Sequence, residues 1–232
     1  MAFSKIDIIN RALTKIGQNR IASLDDDDER AVVAASIFDM VRDAELMAHS
    51  WSFAKRRTLL TPETTRPAWG WQYQFLIPPF CLRILEAGPW PHAAMGSPII
   101  SENRPFVIEN NRILTNRTFK LDGGYYTKII GGGDEETEFV QEKIPDGPAL
   151  PILFIYQEKM TANYHPLFVE ALCCKLAVEM CERITGDGSK REMAWKEYEQ
   201  AVKTARLINA LGLPPKAIQD GPLMLAHARG VI

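Results

Sequence analysis

Apolar residues recur at helical spacing in four segments, two near each end of the chain. In the first segment they fall every three or four positions, as they do on one face of a helix: Ile6, Ile9, Leu13 and Ile16. Ser4 precedes this run and Asp7 follows three residues later, which is the spacing of a capping box. Gly17 comes directly after the last apolar position. The pattern predicts a first helix that starts at Ser4 and stops at Gly17.

A run of acidic residues, DDDDE at 25–29, precedes the second helical segment. The run could bind calcium, but it lacks the alternating ligands, central glycine and distal glutamate of an EF-hand loop. Carboxylates are also favoured at the N-terminus of a helix, and Asp26 and Glu29 are spaced for a capping box. We therefore interpret the run as a helix start and expect the helix to reach about His49.

The second helix carries an apolar stripe that we expect to pack against the first helix as an αα-hairpin. The stripe consists of Val33, Ile37, Met40, Val41, Ala44 and Ala48. Charged residues lie mostly elsewhere, and two of them, Asp39 and Asp43, are one turn apart. Paired carboxylates could support acid–base chemistry, but Arg42 is close to both, so we prefer structural ion pairs.

Two more helices are predicted near the C-terminal end. The third begins at residues 163–166, where Pro166 suits the first turn, and ends at the GDG sequence of 186–188. Its apolar residues recur every four positions: Phe168, Leu172, Leu176, Met180 and Ile184. The fourth runs from Ser189 to Gly212. We expect its inward face to contain Trp195, Tyr198, Val202, Ala205 and Ile208.

The middle of the chain changes to a period of two, which is typical of β-strands. The alternation at 69–77 predicts a strand with a buried aromatic face: Trp69, Trp71, Tyr73, Phe75 and Ile77. Residues 81–85 predict a second strand. Residues 106–114 predict a hairpin that turns at Asn110 and Asn111, because Asn tolerates the left-handed backbone of a primed turn.

Extended chain is also predicted at 118–130 and 152–156, and these two segments flank a glycine-rich stretch. That stretch, 131–141, opens on three glycines. A phosphate-binding loop would need a following Lys-Ser/Thr pair and a helix, and neither is present. We interpret the stretch as a flexible loop.

Together these elements predict an α+β fold, with a four-helix bundle built from both chain ends and a β-rich insertion in the middle. The predicted domains are a helical bundle of residues 1–60 and 152–212, a β-rich insertion of residues 61–151, and an extended C-terminal docking tail of residues 213–232. Trp51 and Phe53 are expected to anchor the chain where the bundle leads into the insertion.

Composition and charge exclude some functional classes. The chain has 232 residues, of which 46% are hydrophobic and 24% are charged, and its formal net charge is −2. This balance gives no sign of the basic face that a DNA-binding domain usually carries. The N-terminus lacks the long apolar region of a signal peptide, and no apolar run approaches the ~20 residues of a membrane span. We expect a soluble, unsecreted protein.

No set of residues has the spacing of a catalytic, cofactor or metal site. Three cysteines lie on one predicted helix, where Cys173 and Cys181 would be about 12 Å apart along the axis, which exceeds the reach of a disulfide. We interpret these two, with Cys174 and Cys81, as reduced core residues of a protein from a reducing cytosol. The four histidines are scattered: His49, His92, His165 and His227. We therefore expect no enzymatic activity, cofactor or metal.

Several segments, in collinear order up to about residue 210, carry a resemblance to a known family. They are INRALTKIG at 9–17, IASLDD at 21–26, VRDAEL at 41–46, HSWSFAKRRTL at 49–59, YQFLIP at 73–78, CLRIL at 81–85, ILTN at 113–116, FVEAL at 168–172 and LA at 176–177. The segment at 49–59 is the most specific. In this ordered set the chain resembles the tail tubular protein A family, the head-to-tail adaptors of short-tailed bacteriophages.

The resemblance implies a structural virion protein, a helical bundle with a β insertion that assembles with itself into a ring of about twelve copies. The ring would join the portal protein above to the tail nozzle protein below and line the DNA exit channel, with DNA only as passing cargo. The expected location is the tail of the virion, with the host cytoplasm during assembly and no membrane contact.

The resemblance also implies two sets of interaction residues. By analogy, the C-terminal tail would dock on the portal through an apolar patch and a polar anchor: Leu223, Met224, Leu225 and Arg229. A short basic cluster becomes a candidate assembly surface: Lys55, Arg56 and Arg57. The β-rich insertion would contribute to the contacts on the tail side.

Two other functions stay open at the level of sequence. An enzyme on an α+β scaffold would need a convergent polar pocket with perturbed titratable groups. A single-stranded nucleic-acid-binding module could stack bases on Trp69 and Trp71 and use the basic residues 55–57 for phosphates.

Overall fold

The computed structural model describes residues 3–88, 106–120, 124–130 and 138–212, and these residues form a mixed α+β fold. They contain four α-helices and eight β-strands. The chain divides into two compact units. The helical unit contains the described residues of 3–55 and 155–212, and the strand unit contains those between 56 and 154.

Helix α3 is the central element of the helical unit, because it contacts each of the other three helices. The four helices are α1 Lys5–Lys15, α2 Glu29–Ala48, α3 Pro166–Thr185 and α4 Gly188–Leu211. The apolar residues predicted for α3 are buried with one exception, Ile184 near its C-terminus. The predicted start at Pro166 is confirmed. Gly186 ends the helix with a φ of 63°, a left-handed conformation that glycine adopts without steric cost.

The predicted capping box of α1 is confirmed. The Asp7 backbone N–H donates to the Ser4 hydroxyl at 3.1 Å, and the Ser4 backbone N–H donates to the Asp7 carboxylate at 3.0 Å. Each side chain thus satisfies a backbone N–H that the helix itself leaves without a partner. Ile9, Leu13 and Ile16 are buried as predicted.

The acidic run before α2 is a helix start, but the predicted capping pair of Asp26 and Glu29 is wrong. The cap is Asp28, whose carboxylate accepts the Arg30 backbone N–H at 2.8 Å. Asp26 instead accepts the backbone N–H groups of Ala22 and Ser23 in the preceding turn. The run offers several carboxylates in succession. The turn at 22–26 uses Asp26, and the helix uses Asp28.

The face that α2 buries differs from the predicted stripe. The buried residues are Ala31, Ala34, Phe38, Val41, Arg42, Glu45 and Leu46. Three members of the predicted stripe, Met40, Ala44 and Ala48, are exposed. The helix has apolar residues on two opposite faces, so periodicity alone could not identify the side that packs against α3.

Asp28 provides a test that separates the capping role from a calcium site. Hydrogen bonds from the Arg30 side chain and backbone lower the pKa of Asp28 to about 2. A lowered pKa in the folded state means that the stabilisation is present above about pH 4 and is lost as the pH falls through about 2. We expect Asp28→Ala to lower the thermal midpoint at neutral pH, and Asp28→Asn to lower it less because Asn also caps.

The control for this prediction is Asp27→Ala, because Asp27 is an exposed neighbour within the same run. It should leave the midpoint unchanged, as should millimolar calcium added to the wild type. A calcium-dependent rise in the midpoint, abolished equally by both alanine variants, would contradict the capping interpretation.

The predicted bounds of α4 are confirmed to within one residue, but part of its predicted inward face is wrong. Val202 and Ala205 are buried as predicted, whereas Trp195 and Ile208 are exposed. The buried positions also include Asn209, whose polar side chain gives no signal in an apolar pattern.

The strand unit is built from small sheets. The strands are β1 Lys55–Leu60, β2 Tyr73–Leu76, β3 Cys81–Ala87, β4 Val107–Glu109, β5 Arg112–Thr115, β6 Tyr125–Ile130, β7 Glu138–Lys143 and β8 Leu150–Tyr156. One sheet has the order β1-β8-β3, a second has β2-β5-β4, and β6 pairs with β7. The pairs β2–β5, β4–β5 and β6–β7 are antiparallel.

The predicted asparagine turn joins β4 to β5. Asn110 and Asn111 have φ values of 45° and 57°, as a type I′ turn requires. The turn sets a register in which Ile113 lies opposite both Phe75 and Ile108. Phe75 and Ile113 are fully buried and form the core of this sheet.

Two strand-region predictions are wrong. Trp69 was predicted on a buried strand face, but β2 begins only at Tyr73 and Trp69 is 86% exposed. The stretch 131–141 was predicted as a flexible loop, but Glu138–Lys143 forms β7 and pairs with β6. The sequence of β7, EFVQEK, has two adjacent apolar residues between polar ones, so no alternation of period two marks it as a strand. Residues 131–137 lie outside the described residues.

Candidate assembly surface

The C-terminal tail contains the residues predicted to bind the portal. Leu223, Met224, Leu225 and Arg229 all lie outside the described residues. Helix α4, which precedes them in the chain, is described to its end at Leu211.

The predicted assembly cluster lies on β1, at the edge of the β1-β8-β3 sheet. Successive side chains of a strand point to opposite faces, so Lys55 and Arg57 share one face and Arg56 points to the other. Lys55 and Arg56 are half-buried and Arg57 is exposed. The cluster is therefore not a single cationic patch, and its basic residues also suit an edge strand that must avoid pairing with other chains. Its role in assembly stays a prediction.

Arg57 also lines a cleft of about 420 Å³ in the strand unit. Tyr126 lies in the same cleft, and its hydroxyl donates to the Glu142 carboxylate at 2.9 Å, which Lys128 also contacts at 2.9 Å. Burial and the neighbouring Glu142 carboxylate raise the pKa of Tyr126 to about 12. This cross-strand network ties β6 to β7.

Trp51 and Phe53 anchor the chain within the helical unit, as predicted. The Trp51 ring packs edge-on against the Phe168 ring at 5.1 Å between centroids. The Phe53 ring also packs against the Phe168 ring at 5.1 Å. The Trp51 indole N–H donates to the Glu45 backbone carbonyl at 2.9 Å. Trp51 is 1% exposed. The end of α2 and the start of α3 are thus held together by one aromatic cluster.

A buried polar link between α2 and α4 was missed by the sequence analysis. The Tyr198 hydroxyl donates to the Glu45 carboxylate at 2.6 Å. The Asn209 side chain accepts the Ser52 backbone N–H at 2.9 Å and donates to the Ser50 carbonyl at 3.2 Å. Burial and the Glu45 carboxylate raise the pKa of Tyr198. The Tyr198 bond thus joins α4 to α2, and the Asn209 bonds fix the end of α4 against the segment that follows α2.

Asp39 and Asp43 form structural ion pairs, which confirms the preferred interpretation. The Arg42 guanidinium contacts Asp39 at 2.6 Å and Asp43 at 2.8 Å. The Gln157 side-chain amide donates to the other Asp43 oxygen at 2.6 Å. Both carboxylates are thus engaged by Arg42, and Arg42 itself is buried within the helical unit.

The four cysteines are free, as predicted, and Cys173, Cys174 and Cys181 are buried, whereas Cys81, predicted as a core residue, is only half-buried. The Cys173 thiol donates to the Ile8 carbonyl at 3.4 Å. Burial raises the pKa of Cys173 to about 12 and that of Cys81 to about 12. Among the described residues no group of three or more His, Cys, Asp or Glu side chains could hold a metal ion.

This burial predicts slow thiol labelling of the native protein. The thiolate is the reactive form of cysteine, and both burial and the raised pKa values suppress it. We expect Ellman's reagent to react far more slowly with the native chain than with a small free thiol, and to react with all four cysteines in guanidinium. Met160→Cys, at an exposed position, is the control that should label at once. Because Cys81 is half-buried, rapid labelling of more than one thiol in the native wild-type chain is the result that would contradict this packing.

Among the described residues of the helical unit, several large apolar side chains are exposed, and two groups of them lie along α2 and at the end of α4. The first, which we call the α2 stripe, consists of Val32, Met40 and Met47. The second, which we call the α4 end, consists of Leu207, Ile208 and Leu211. Clustered apolar residues that the chain leaves in water are typical of surfaces that contact another molecule.

Among the described residues, none of the helices is sufficiently long and apolar to span a membrane. The chain matches no protein-family model, and it has no match among curated proteins.

Proposed function

We propose that this chain is a structural virion protein, a ring-forming adaptor that joins a phage portal to the tail nozzle and lines the DNA exit channel. The observation that carries the proposal is the presence of two separate apolar surfaces, the α2 stripe and the α4 end, on one helical unit. A subunit of a closed ring needs two such surfaces, one for each neighbour. The ordered resemblance to the tail tubular protein A family supports the same role.

In this proposal the helices from both chain ends form one four-helix bundle, and the β-rich segment is an insertion. The contacts of α3 with α1, α2 and α4 support the bundle. The tail of residues 213–232 docks on the portal, the β-rich insertion faces the tail nozzle, and DNA passes through the ring as cargo. The proposed location is the tail of the virion.

Removal of the tail tests the portal contact. A chain truncated after Leu211 should lose affinity for the portal protein of the same phage, measured by co-sedimentation with portal assemblies. The full-length chain with Leu223, Met224 and Leu225 changed to alanine should show a similar loss, since it removes only the proposed apolar patch. Portal binding at full strength by the truncated chain would refute this docking assignment.

One observation favours a second candidate function. Trp69 is exposed, although a buried position was predicted, and an exposed indole can stack on an unpaired base. A single-stranded nucleic-acid-binding module would show salt-dependent affinity that falls in Trp69→Ala. The absence of any such affinity would remove this candidate.

A further inference from the structure

We infer that the α2 stripe is the docking site for the α4 end of a second copy of this chain. The inference rests on the proposed function, because it assigns the subunit contact of the proposed ring to two named surfaces. The partner that binds the α2 stripe is a second copy of the chain, and the shape and charge of the two surfaces support this assignment.

The α2 stripe is an exposed and mostly apolar face of the helix. Val32, Met40 and Met47 share one side of α2 with Ser36 and Ala44 between them, and all five residues are exposed. At 1.5 Å per residue the stripe is about 22 Å long. It lies opposite the side of α2 that is buried, so no part of the packing within the helical unit uses it.

The charges around the α2 stripe argue against pairing with an identical stripe. Residues 25–48 contain eight acidic and two basic residues. Glu45 lies on the buried side of α2, and Lys5 and Arg42 pair with Asp39 and Asp43. The acidic excess therefore lies at residues 25–29, next to Val32, and it remains when the nearby cations Arg30 and Arg183 are included. Two copies of α2 placed face to face would bring like charges together, which is unfavourable in a protein interface.

The α4 end has the complementary properties. Leu207 and Leu211 are one turn apart and Ile208 lies beside them, so the three form one exposed apolar cluster. Residues 200–212 contain Lys203 and Arg206 and no acidic residue. Lys203 is exposed, whereas Arg206 is half-buried. The apolar α4 end with Lys203 beside it therefore fits the apolar stripe of α2 and the acidic residues at the N-terminal end of that stripe.

Contact between two different surfaces of the same chain is a heterologous interface. Such an interface closes into a ring when the rotation between neighbours permits it, whereas a self-complementary interface stops at a dimer. The pairing of the α2 stripe with the α4 end thus gives each subunit one donor surface and one acceptor surface, which the proposed ring requires.

Substitution at the centre of the α2 stripe tests the inference. Met40 is 68% exposed, so Met40→Asp should fold, with a thermal midpoint lowered only slightly because Asp is a poorer helix former than Met. It adds a charge to an apolar contact and increases the acidic excess, so we expect at least about a tenfold rise in the concentration needed for assembly. The matched control is Met193→Asp, which changes an equally exposed methionine (65%) on the first half of α4, outside both surfaces. Native mass spectrometry with portal assemblies gives the readout.

A disulfide trap identifies the partner surface directly. When Met40→Cys and Leu207→Cys chains are mixed and oxidised, the inference predicts a crosslinked heterodimer, and neither variant alone should give it. A crosslink within one chain that carries both substitutions, with none between chains, would show that the chain covers its own stripe and would overturn the inference.

The outcomes separate this inference from the proposed function. Wild-type rings that persist unchanged in Met40→Asp would overturn the assigned interface and leave the adaptor role intact. A wild-type chain that never assembles, even with the portal, would overturn both. Rings formed by the wild type and Met193→Asp but not by Met40→Asp, together with the intermolecular crosslink, support both.

Discussion

Replacement of Trp51 by alanine is expected to lower the free energy of unfolding by about 3–5 kcal/mol, the usual cost of removing a large aromatic side chain from a core. Trp51 is fully buried, packs edge-on against Phe168, and donates its indole N–H to the Glu45 carbonyl. Alanine would leave a cavity in the aromatic cluster and an acceptor without its donor. Because total stabilities are about 5–15 kcal/mol, this loss is a large fraction of the free energy of unfolding.

Urea unfolding followed by far-UV circular dichroism measures this effect. Trp69→Ala is the matched control, because it removes the same side chain from an exposed position and should change the stability by less than about 0.5 kcal/mol. Trp51→Phe should lie between the two, since it retains the ring packing and loses the indole hydrogen bond. Equal effects of the alanine variants at 51 and 69 would show that Trp51 does not anchor the helical unit.

Replacement of Arg42 by alanine is expected to cost about 2–3 kcal/mol, somewhat less than the ~3–5 kcal/mol typical when one partner of a fully buried ion pair is removed. Arg42 is 4% exposed and contacts both Asp39 and Asp43. Its loss would leave Asp43 with the Gln157 amide as its remaining partner among these groups. The expected loss of stability is smaller than for a fully buried pair because Asp39 is exposed and can regain hydration.

The matched control for this prediction is Arg191→Ala. Arg191 pairs with Glu182 at 3.0 Å, and both side chains are largely exposed, so the pair should contribute less than about 1 kcal/mol. A double-mutant cycle of Arg42→Ala with Asp43→Asn would isolate the coupling between those two residues. If Arg42→Ala were as mild as Arg191→Ala, the ion-pair cluster would be incidental to the fold.

Local features of this fold could be predicted where the determining contacts lie within a few residues. The Ser4–Asp7 capping box and the Asn110–Asn111 turn follow from hydrogen bonds and backbone preferences of adjacent residues. The start of α3 at Pro166 and its end at Gly186 have the same kind of local cause. These predictions are confirmed because no distant contact competes with them.

Features that depend on distant partners could not be predicted. Glu45 is buried because Tyr198, 153 residues away, donates to it. The side-chain amide of Asn209 can be buried because it forms hydrogen bonds with the backbone of Ser50 and Ser52. Both of these residues follow a different helix, α2. The pattern of apolar positions predicts that polar residues of this kind are exposed to solvent, since nothing near them in the sequence reveals a distant hydrogen-bond partner.

The α2 stripe could be predicted from the sequence only in part. The predicted stripe of α2 included Met40 and Ala44, which do lie on an apolar face of that helix. The pattern could not show that α3 packs on the opposite face, centred on Phe38, and so leaves this one exposed. An apolar residue that the chain itself does not bury is recognised only after the fold is known.

The central claim is that copies of this chain assemble with one another on a portal. The most direct measurement is native mass spectrometry of the wild-type chain over a range of concentrations, alone and with portal assemblies of the same phage. The adaptor proposal predicts a single closed ring of this chain bound to each portal. A chain that remains monomeric at every concentration, with the portal present, would contradict it.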